Sequence, residues 1–281
     1  MRRVLMLLLL CMSAASADPG IGIVRDRRGN IFYTDLKQVW KIAPNGVKTV
    51  AVPNVHTHEL CLDAEDNLYG EHLWYESTTV ENWGHYVWKF TAAGNLEIVI
   101  PRSPGFRQNY SFVRDHRGNM YWVERGATTI IHQRAPNAAP REFVRTNAFR
   151  QVGRMIVGED GDIYLLDDGD LRSISASGAV RTLARNLKER RGLELVFGDS
   201  HNLMGLWHDA AKNVYVAVAG GRMVKKIDAS GAVEVVAHSV APWYPTSGLC
   251  APSGELWLLE YSDNNETRVR LLRADGSEKF Y

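Results

Sequence analysis

The residues best suited to chemistry in this sequence lie close together between positions 56 and 76. His58 and Glu59 open one apolar segment, and Glu71 and His72 end the next one along the chain. Imidazole and carboxylate groups are ligands of Zn²⁺ and other transition metals, and they also form general acid/base pairs. We therefore predict that His58, Glu59 and His72 hold one divalent metal ion. No nucleotide cofactor is expected.

Two carboxylates and one guanidinium complete this predicted site. Glu71 or Glu124 would be the base, and Arg154 would hold an anionic group or stabilise an oxyanion. A structural role is the alternative, because an acidic residue recurs at this place, as in Asp35 and Asp167, where it would cap a turn by accepting backbone N–H bonds. The sequence favours capping for Asp35 and Asp167. For the histidine-rich cluster both roles stay open.

Four further side chains are candidates for ligand contacts. Trp74 lies in an insertion rich in aromatic residues, and aromatic walls stack against flat ligands such as sugar rings or lactones. Tyr110, His201 and Asn202 precede two other apolar segments, as Glu59 precedes its own. We expect these side chains to face the same pocket.

The elements that would position these residues form a repeat. In each copy an apolar segment and a turn beginning at Asp or a substitute precede an alternating aromatic segment, and a second pair of short segments joined at Gly follows. Period-two alternation and Gly at tight turns predict strands joined in hairpins. The six copies begin at Gly20, Glu59, Ser111, Arg154, Gly205 and Ser247.

Six units of four short strands predict an all-β fold, a six-bladed β-propeller of four-stranded antiparallel blades. One blade cannot bury both of its faces, so neighbours stack around an axis, and closure of the ring protects the end blades. We predict a single domain over residues 18–281, with the strands of every blade in sequence order. Residues that begin inner strands or end second strands should converge at one mouth of the central channel.

Residues 1–17 are predicted to be a signal peptide cleaved after Ala17. Two arginines precede a short apolar run, and an Ala-Ser-Ala sequence has the small-x-small pattern of a cleavage site. The run is too short to span a bilayer as a helix. We expect a periplasmic or secreted protein with no transmembrane segment in the mature chain. Cys61 and Cys250 are expected to be buried, unpaired thiols.

The charge balance argues against a nucleic-acid partner. The chain has 33 basic and 32 acidic side chains, whereas a nucleic-acid binder needs a basic face to neutralise phosphates. The sequence also contains no Gly-rich phosphate loop, no Gly-x-Ser-x-Gly elbow and no Cys-x-x-Cys pair, so it supports neither dinucleotide binding nor serine hydrolase chemistry. The expected partner is a small-molecule ligand or substrate, and a protein partner is left open.

The repeat resembles a known family. The Asp-x-x-Gly-Asn-[Ile/Leu/Met]-Tyr pattern and the Ala-x-x-Gly turn that follows it resemble NHL repeats over residues 19–281. Similar blades occur in the six-bladed regucalcin–gluconolactonase superfamily and in the seven-bladed streptogramin lyase. The resemblance implies a six-bladed propeller, and it points to hydrolase or lyase activity.

The resemblance also implies a divalent metal site made of one Glu, two Asn and one Asp, but most of these ligands are absent here. Ser247 stands at the place of the Asp, Met204 stands at that of one Asn, and the first copy offers no Glu. Tyr110 falls near the other Asn, with Asn109 one residue away. Since hard cations require oxygen ligands and Met cannot replace them, we do not expect that family's metal site.

Two functions follow as expectations. The first is an exported hydrolase or lyase that acts on a small cyclic ester or sugar-like substrate in a His/Glu-rich pocket at the channel mouth. The second is a non-catalytic propeller that binds a ligand or a protein through the same face. Whether Glu59 and Arg154 pair with each other, which would give both a structural role, is not decided by the sequence.

Overall fold

The computed structural model describes residues 19–75, 83–105, 110–189 and 201–281. The predicted signal peptide lies outside these ranges. The described chain forms 23 β-strands and one 3₁₀ turn, Ala219–Gly221, so the predicted all-β class is confirmed. In these ranges no helix has the length and apolar character needed to cross a membrane.

The strands form six antiparallel sheets, which are the six blades of a propeller. Blade 1 consists of β1 (Ile23–Arg25), β2 (Ile31–Thr34), β3 (Val39–Ile42) and β4 (Lys48–Val52). Blade 2 consists of β5 (Leu60–Leu62), β6 (Leu68–Tyr75), β7 (Trp83–Phe90) and β8 (Leu96–Pro104). Blade 3 contains β9 (Met120–Glu124), β10 (Thr129–Arg134) and β11 (Arg141–Thr146).

The second half of the ring repeats this plan. Blade 4 consists of β12 (Val152–Val157), β13 (Ile163–Asp167), β14 (Asp170–Ile174) and β15 (Val180–Ala184). Blade 5 consists of β16 (Leu203–His208), β17 (Val214–Val218), β18 (Met223–Ile227) and β19 (Val233–His238). Blade 6 consists of β20 (Trp243–Cys250), β21 (Leu256–Ser262), β22 (Thr267–Leu272) and β23 (Glu278–Phe280).

The strands of each blade follow one another in sequence order, so the ring closes without strand exchange. Side chains join the last blade to the first instead. The Thr246 hydroxyl donates to the Gly20 carbonyl at 2.8 Å, and the Tyr261 hydroxyl donates to the Thr34 carbonyl at 3.3 Å. These bonds satisfy buried polar groups at the seam.

Blade 3 departs from the predicted four full strands. Its sheet has three strands, and its inner segment is reduced to a bridge between Arg114 and Met120 and a bond from the Tyr121 N–H to the Val113 carbonyl. The inner segment borders a cleft on the blade 2 side, which is described below.

A three-residue hydrogen-bond motif explains the repeated sequence pattern. In blade 5, Asp209 accepts bonds from the backbone and side-chain nitrogens of Asn213 at 2.9 and 2.7 Å, and from the Tyr215 hydroxyl at 3.0 Å. The same arrangement recurs at Asp63 and Asp115 in blades 2 and 3. The Asp, Asn and Tyr of the consensus therefore lock the hairpin between the inner and second strands.

Hydrophobic clusters fill five of the six boundaries between blades. They lie between blades 1 and 2, 3 and 4, 4 and 5, 5 and 6, and 6 and 1. Trp88 is fully buried in the first of these, with Tyr86 packed beside it, so both contribute to packing between blades 1 and 2. No such cluster lies between blades 2 and 3 within the described ranges.

Candidate functional site

Inner-strand residues from all six blades line a central cavity of about 780 Å³. Inner strands of a propeller run in one direction along the axis, so the residues that begin them share one mouth of the channel. We call this end the near mouth. Its lining residues are Ile21, Glu59, Tyr110, Ser111, Arg154 and Ser247.

Irregular strand pairing redirects side chains that lie at the near mouth. In blade 4 the register between β12 and β13 shifts between Val152 and Met155, so Gly153 and Arg154 lie in a bulge. Comparable shifts occur at the start of β16 and within β20. Bulges bend a strand and redirect its side chains, which places Arg154 on the wall of the channel.

Arg154 forms an ion pair with Glu59 at this mouth. Arg154 Nη1 lies 2.8 Å from Glu59 Oε1, and the two side chains are 31% and 26% exposed. The partners belong to blades 4 and 2, which are not neighbours in the ring, so the contact passes in front of blade 3. Both residues were predicted to reach the channel, and the structure brings them together there.

The charges of the described channel lining are unbalanced. Glu59 is its single carboxylate, whereas four guanidinium groups line the same cavity. An excess of one sign in a concave, low-dielectric site concentrates ions of the other sign. The channel is therefore suited to an anion and unsuited to a hard cation. The four arginines are Arg25, Arg114, Arg125 and Arg154.

The histidines near Glu59 form a separate group behind the channel wall. Glu71 Oε1 accepts a bond from the His58 N–H at 2.7 Å and lies 3.6 Å from His58 Nδ1. His72 Nδ1 accepts a bond from the His56 N–H at 3.1 Å, and its ring stacks on Tyr86 at 4.9 Å. Neither His58 nor His72 lines the central cavity.

The imidazole rings of His56 and His72 are held towards the neutral form. Burial and the neighbouring His58 and His72 rings lower the pKa of His56, and Glu71 opposes this effect. Burial and the nearby Arg102 guanidinium lower the pKa of His72. These rings therefore act as uncharged hydrogen-bonding groups near neutral pH.

The predicted metal ligands are not assembled into one centre. Glu59 pairs with Arg154, His58 turns to Glu71 and His72 accepts a backbone bond. No group of three or more His, Cys, Asp or Glu side chains in the described ranges is arranged to hold a metal ion. A metal site made of His58, Glu59 and His72, as predicted from the sequence, would require these contacts to break first.

The metal site implied by the resemblance does not fit these residues either. Ser247 is buried at the near mouth, and Met204 is 2% exposed within the packing between blades 5 and 6. Hard cations need several oxygen ligands, usually carboxylates. The lining described here offers one carboxylate, already paired with Arg154, so its donor set suits no hard cation.

The two predicted bases lie away from the channel lining. Glu71 is 1% exposed and holds the segment before β5 through the His58 N–H. Asp167 does the same in blade 4, where it accepts bonds from two backbone N–H groups at 2.7 and 2.8 Å. Glu124 is 61% exposed and lies 2.7 Å from His132 Nε2. The geometry of Glu71 is thus that of a structural clasp.

Of the four residues predicted to contact a ligand, only one lines the channel. Tyr110 lines the channel, but Trp74, His201 and Asn202 do not. The Trp74 ring lies 4.2 Å from the Arg102 guanidinium. Asn202 is 5% exposed, and its amide exchanges bonds of 2.5 and 3.0 Å with the backbone of Glu189, which fastens two segments together.

Sequence reasoning missed Arg125. Strand β9 ends at Glu124, and Arg125 is the next residue, which lines the channel and donates from Nε and Nη2 to the Val152 carbonyl at 3.1 and 2.7 Å. The signal was present, because the end of a second strand was expected to reach the mouth. The sequence analysis assigned the acidic Glu124 to the site instead, one position before the residue that lines the channel.

Within the described ranges, Cys61 and Cys250 are unpaired, as predicted, but both are half-buried where full burial was expected. Cys61 lies in β5 of blade 2 and Cys250 in β20 of blade 6. Burial raises the pKa of the Cys61 thiol to about 12, so the thiol stays protonated near neutral pH. Neither cysteine is poised as a nucleophile, because the thiolate is the reactive form.

Comparison with known proteins supports the fold. No family model and no curated protein matches the chain. A gluconolactonase from Xanthomonas campestris superimposes with a TM-score of 0.57 at 12% identity, over 86% of this chain and 83% of that one. Regucalcin from Agrobacterium tumefaciens, a calcium-binding protein, gives 0.55 at 14% identity, over 86% and 81%.

A third structure extends this set. Virginiamycin B lyase from Staphylococcus aureus superimposes with a TM-score of 0.51 at 12% identity, over 95% of this chain and 85% of that one. At such identities the likeness concerns the fold alone. These superpositions confirm, at the level of the fold, the predicted resemblance to the regucalcin and gluconolactonase propellers. They assign none of those proteins' functional residues to this chain.

Proposed function

We propose that this propeller binds a small anionic molecule at the near mouth and acts on it as a hydrolase or lyase. The observation that carries the proposal is the Glu59–Arg154 pair in a channel that otherwise presents only guanidinium charges. The favoured substrate is a cyclic ester or sugar-like molecule that carries a carboxylate. The neighbours named gluconolactonase and virginiamycin B lyase agree with these reaction classes.

Arg154 is the residue that would hold the carboxylate. Its Nη1 is engaged with Glu59, and a guanidinium has five N–H donors in a planar fork, so further donors remain for a second carboxylate. Arg125 lies on the same wall and would face the carbonyl oxygen. Binding of the anion near Arg154 would loosen its hold on Glu59.

Glu59 is the residue that would move a proton. In the hydrolysis of a lactone, its carboxylate takes a proton from water as the water oxygen bonds to the ring carbonyl carbon. The ring C–O bond then breaks, and the proton passes to the departing alkoxide, which gives an open hydroxy acid. In a lyase reaction the same carboxylate would remove the proton on the carbon next to a carbonyl while a guanidinium stabilises the enolate. The C–O bond at the next carbon then breaks, a carbon–carbon double bond forms, and the proton passes to the departing alkoxide.

The test compares two sugar lactones that differ by one carboxylate. Release of acid from glucarolactone, which carries the carboxylate, should exceed that from neutral gluconolactone. Glu59→Gln should abolish turnover with little change in KM, whereas Arg154→Gln should raise KM for glucarolactone by roughly tenfold. Glu234→Gln, in an exposed pair with Lys226 on blade 5, is the matched control and should behave as wild type.

A binding protein without catalysis is the second candidate. It is favoured by the same ion pair, because the Glu59 carboxylate is engaged by Arg154 at 2.8 Å and is not free to take a proton from water while that contact holds. Binding of glucarate that depends on Arg154, with no turnover of either lactone, would decide for it. Equal rates for wild type and Glu59→Gln would reject the enzyme.

Export completes the proposal. We infer that residues 1–17 are removed after Ala17 and that the mature propeller works in the periplasm or outside the cell. The support is the sequence of the leader, with its arginines, apolar run and Ala-Ser-Ala site. Intact mass of the protein recovered from the periplasmic fraction tests this. A mass that includes residues 1–17 would reject the cleavage.

A further inference from the structure

The boundary between blades 2 and 3 holds a cavity of about 1160 Å³ where the other five boundaries hold hydrophobic clusters. We call it the 2–3 cleft. Blade 2 contributes Cys61, Tyr69 and Ile100 to its walls, and blade 3 contributes Phe112, Arg114, Met120 and Arg134. This volume lies just above the range typical of small-molecule sites, about 300–1,000 Å³, so the cleft has room for a small ligand.

Strand register places two arginines on the wall of this cleft. Met120 is paired with Arg114 on one side and with Arg134 on the other. Directly paired residues of antiparallel strands project to the same face of a sheet. The row Arg114–Met120–Arg134 therefore faces blade 2, where the other blades present mainly apolar side chains to their neighbours.

The contacts of these guanidinium groups are with uncharged groups. Arg134 Nη2 lies 3.7 Å from the Met120 sulfur, and the Arg114 guanidinium lies 5.2 Å from the centre of the Tyr110 ring and hydrogen-bonds the Cys61 side chain. Neither arginine forms an ion pair with a carboxylate of the described ranges. Both are half-buried, so each guanidinium keeps donors that can reach a ligand anion in the cleft.

Three carboxylates line the cleft, of which Glu65 is exposed to solvent and the two aspartates are engaged in their own turns. Asp63 accepts bonds from Asn67 and from the Tyr69 hydroxyl, and Asp115 accepts the equivalent bonds from Asn119 and Tyr121. These bonds close the hairpin turns of the two blades. The aspartates are therefore fixed in their turns, and the arginines remain the groups able to receive a ligand anion.

Aromatic rings form much of the rest of the wall. Tyr69, Tyr110 and Phe112 line the cleft, and Phe112 meets Tyr110 edge to face at 5.3 Å. The protonated Cys61 thiol and Ile100 add uncharged surface. Such walls bind flat rings by stacking and by removal of apolar surface from water.

We propose that the 2–3 cleft is a second binding site, for a small aromatic carboxylate whose ring lies among Tyr69, Phe112 and Met120 and whose carboxylate meets Arg114 and Arg134. This proposal does not rest on the function proposed above, although Arg114 lines both the cleft and the channel. The cleft borders the channel only through shared lining residues, Leu62, Tyr110, Phe112 and Arg114.

The experiment uses naphthoate as the probe and methionine methyl signals as the locator. Met120 lines the 2–3 cleft only, and Met155 lines the channel only. In the mature protein with ¹³C-labelled methionine methyl groups, naphthoate should shift the Met120 signal saturably and leave Met155 unchanged. Naphthalenemethanol, which has the same ring without the charge, should bind at least roughly tenfold more weakly.

Variants test the role of the guanidinium groups. Arg134→Gln should weaken naphthoate binding by roughly tenfold and leave naphthalenemethanol unaffected. Arg181→Gln, at an exposed position of β15 in blade 4, is the matched control. An unmoved Met120 signal, a shift of Met155 instead, or equal affinity for the acid and the alcohol would each overturn the proposal. The comparison of the two probes on wild type stands even if Arg134→Gln fails to fold.

Discussion

Arg154 reaches Glu59 across the front of blade 3, with Nη1 and Oε1 2.8 Å apart although the two residues are 95 positions apart in the sequence. The contact ties blade 4 to blade 2 and so spans the boundary between blades 2 and 3, where the described residues form no shared hydrophobic cluster. Both side chains keep about a quarter to a third of their surface exposed to the channel. The pair is therefore reachable by a ligand.

The first prediction concerns what this pair contributes to stability. Partly exposed ion pairs contribute about 0–1 kcal/mol, because desolvation and lost side-chain freedom offset the attraction. A double-mutant cycle with Glu59→Gln and Arg154→Gln in urea unfolding should give a coupling energy of that size. A coupling above about 3 kcal/mol would show a pair kept for structure, and it would weaken the proposed site.

The second prediction separates Glu71 from Glu59. Glu71 is buried and bonded to the His58 N–H, so Glu71→Ala should lower the free energy of unfolding by about 2 kcal/mol. Turnover per folded molecule should stay near wild type, because Glu71 does not line the channel. Asp167→Ala, which removes the same clasp from blade 4, is the control and should show the same pattern. Loss of turnover at full stability in Glu71→Ala would return Glu71 to the catalytic site.

The third prediction is a pH dependence of stability. In the folded protein the pKa values of His56 and His72 lie below their ordinary value, with burial as the first cause. The unfolded chain therefore binds more protons, so the stabilisation is complete above the unfolded pKa of about 6.5 and is lost as pH falls towards the folded values.

Urea unfolding between about pH 8 and about pH 5 measures this loss. His72→Asn, which keeps an acceptor for the His56 N–H without a titrating ring, should flatten the decline relative to wild type. His238→Asn, at an exposed position of β19, is the control and should leave the slope unchanged. An identical slope in His72→Asn and wild type would contradict the account of this cluster.

The fourth prediction concerns the repeated turn. Asp209→Ala removes three hydrogen bonds, two from Asn213 and one from Tyr215, and should cost about 2 kcal/mol of unfolding free energy. Asp275→Ala is the control, since Asp275 is bonded to the Ser277 N–H in an exposed hairpin. Its loss should be clearly smaller. Equal losses in thermal or urea unfolding would mean that the consensus Asp does no more than any turn residue.

The fold was predictable from the sequence because its signal is local and repeated. The Asp, Asn and Tyr of a copy specify its turn locally, as Asp63 and Asp209 show even though another residue replaces the consensus Gly in both, and six copies in sequence order leave a closed ring as the consistent solution. The shortened inner strand of blade 3 was not predictable. It borders the cleft between blades 2 and 3, a tertiary feature that the blade's own sequence does not reveal.

The site was predictable only in part. The start of each inner strand leads to the near mouth, and this rule placed Glu59, Tyr110 and Arg154 correctly on the channel. The predicted metal site at His58 and His72 did not form because residues close in sequence can lie on opposite faces of a strand. A step of one residue reverses that face, which also separates Glu124 from Arg125.

The most direct test of the central claim is anion binding in the channel, followed through the Met155 methyl signal with Met120 as the internal reference. Glucarate should shift Met155 saturably, glucitol should not, and Arg154→Gln should weaken the glucarate response by roughly tenfold. An unmoved Met155 signal, or equal shifts from glucarate and its uncharged counterpart, would contradict a channel built to hold an anion.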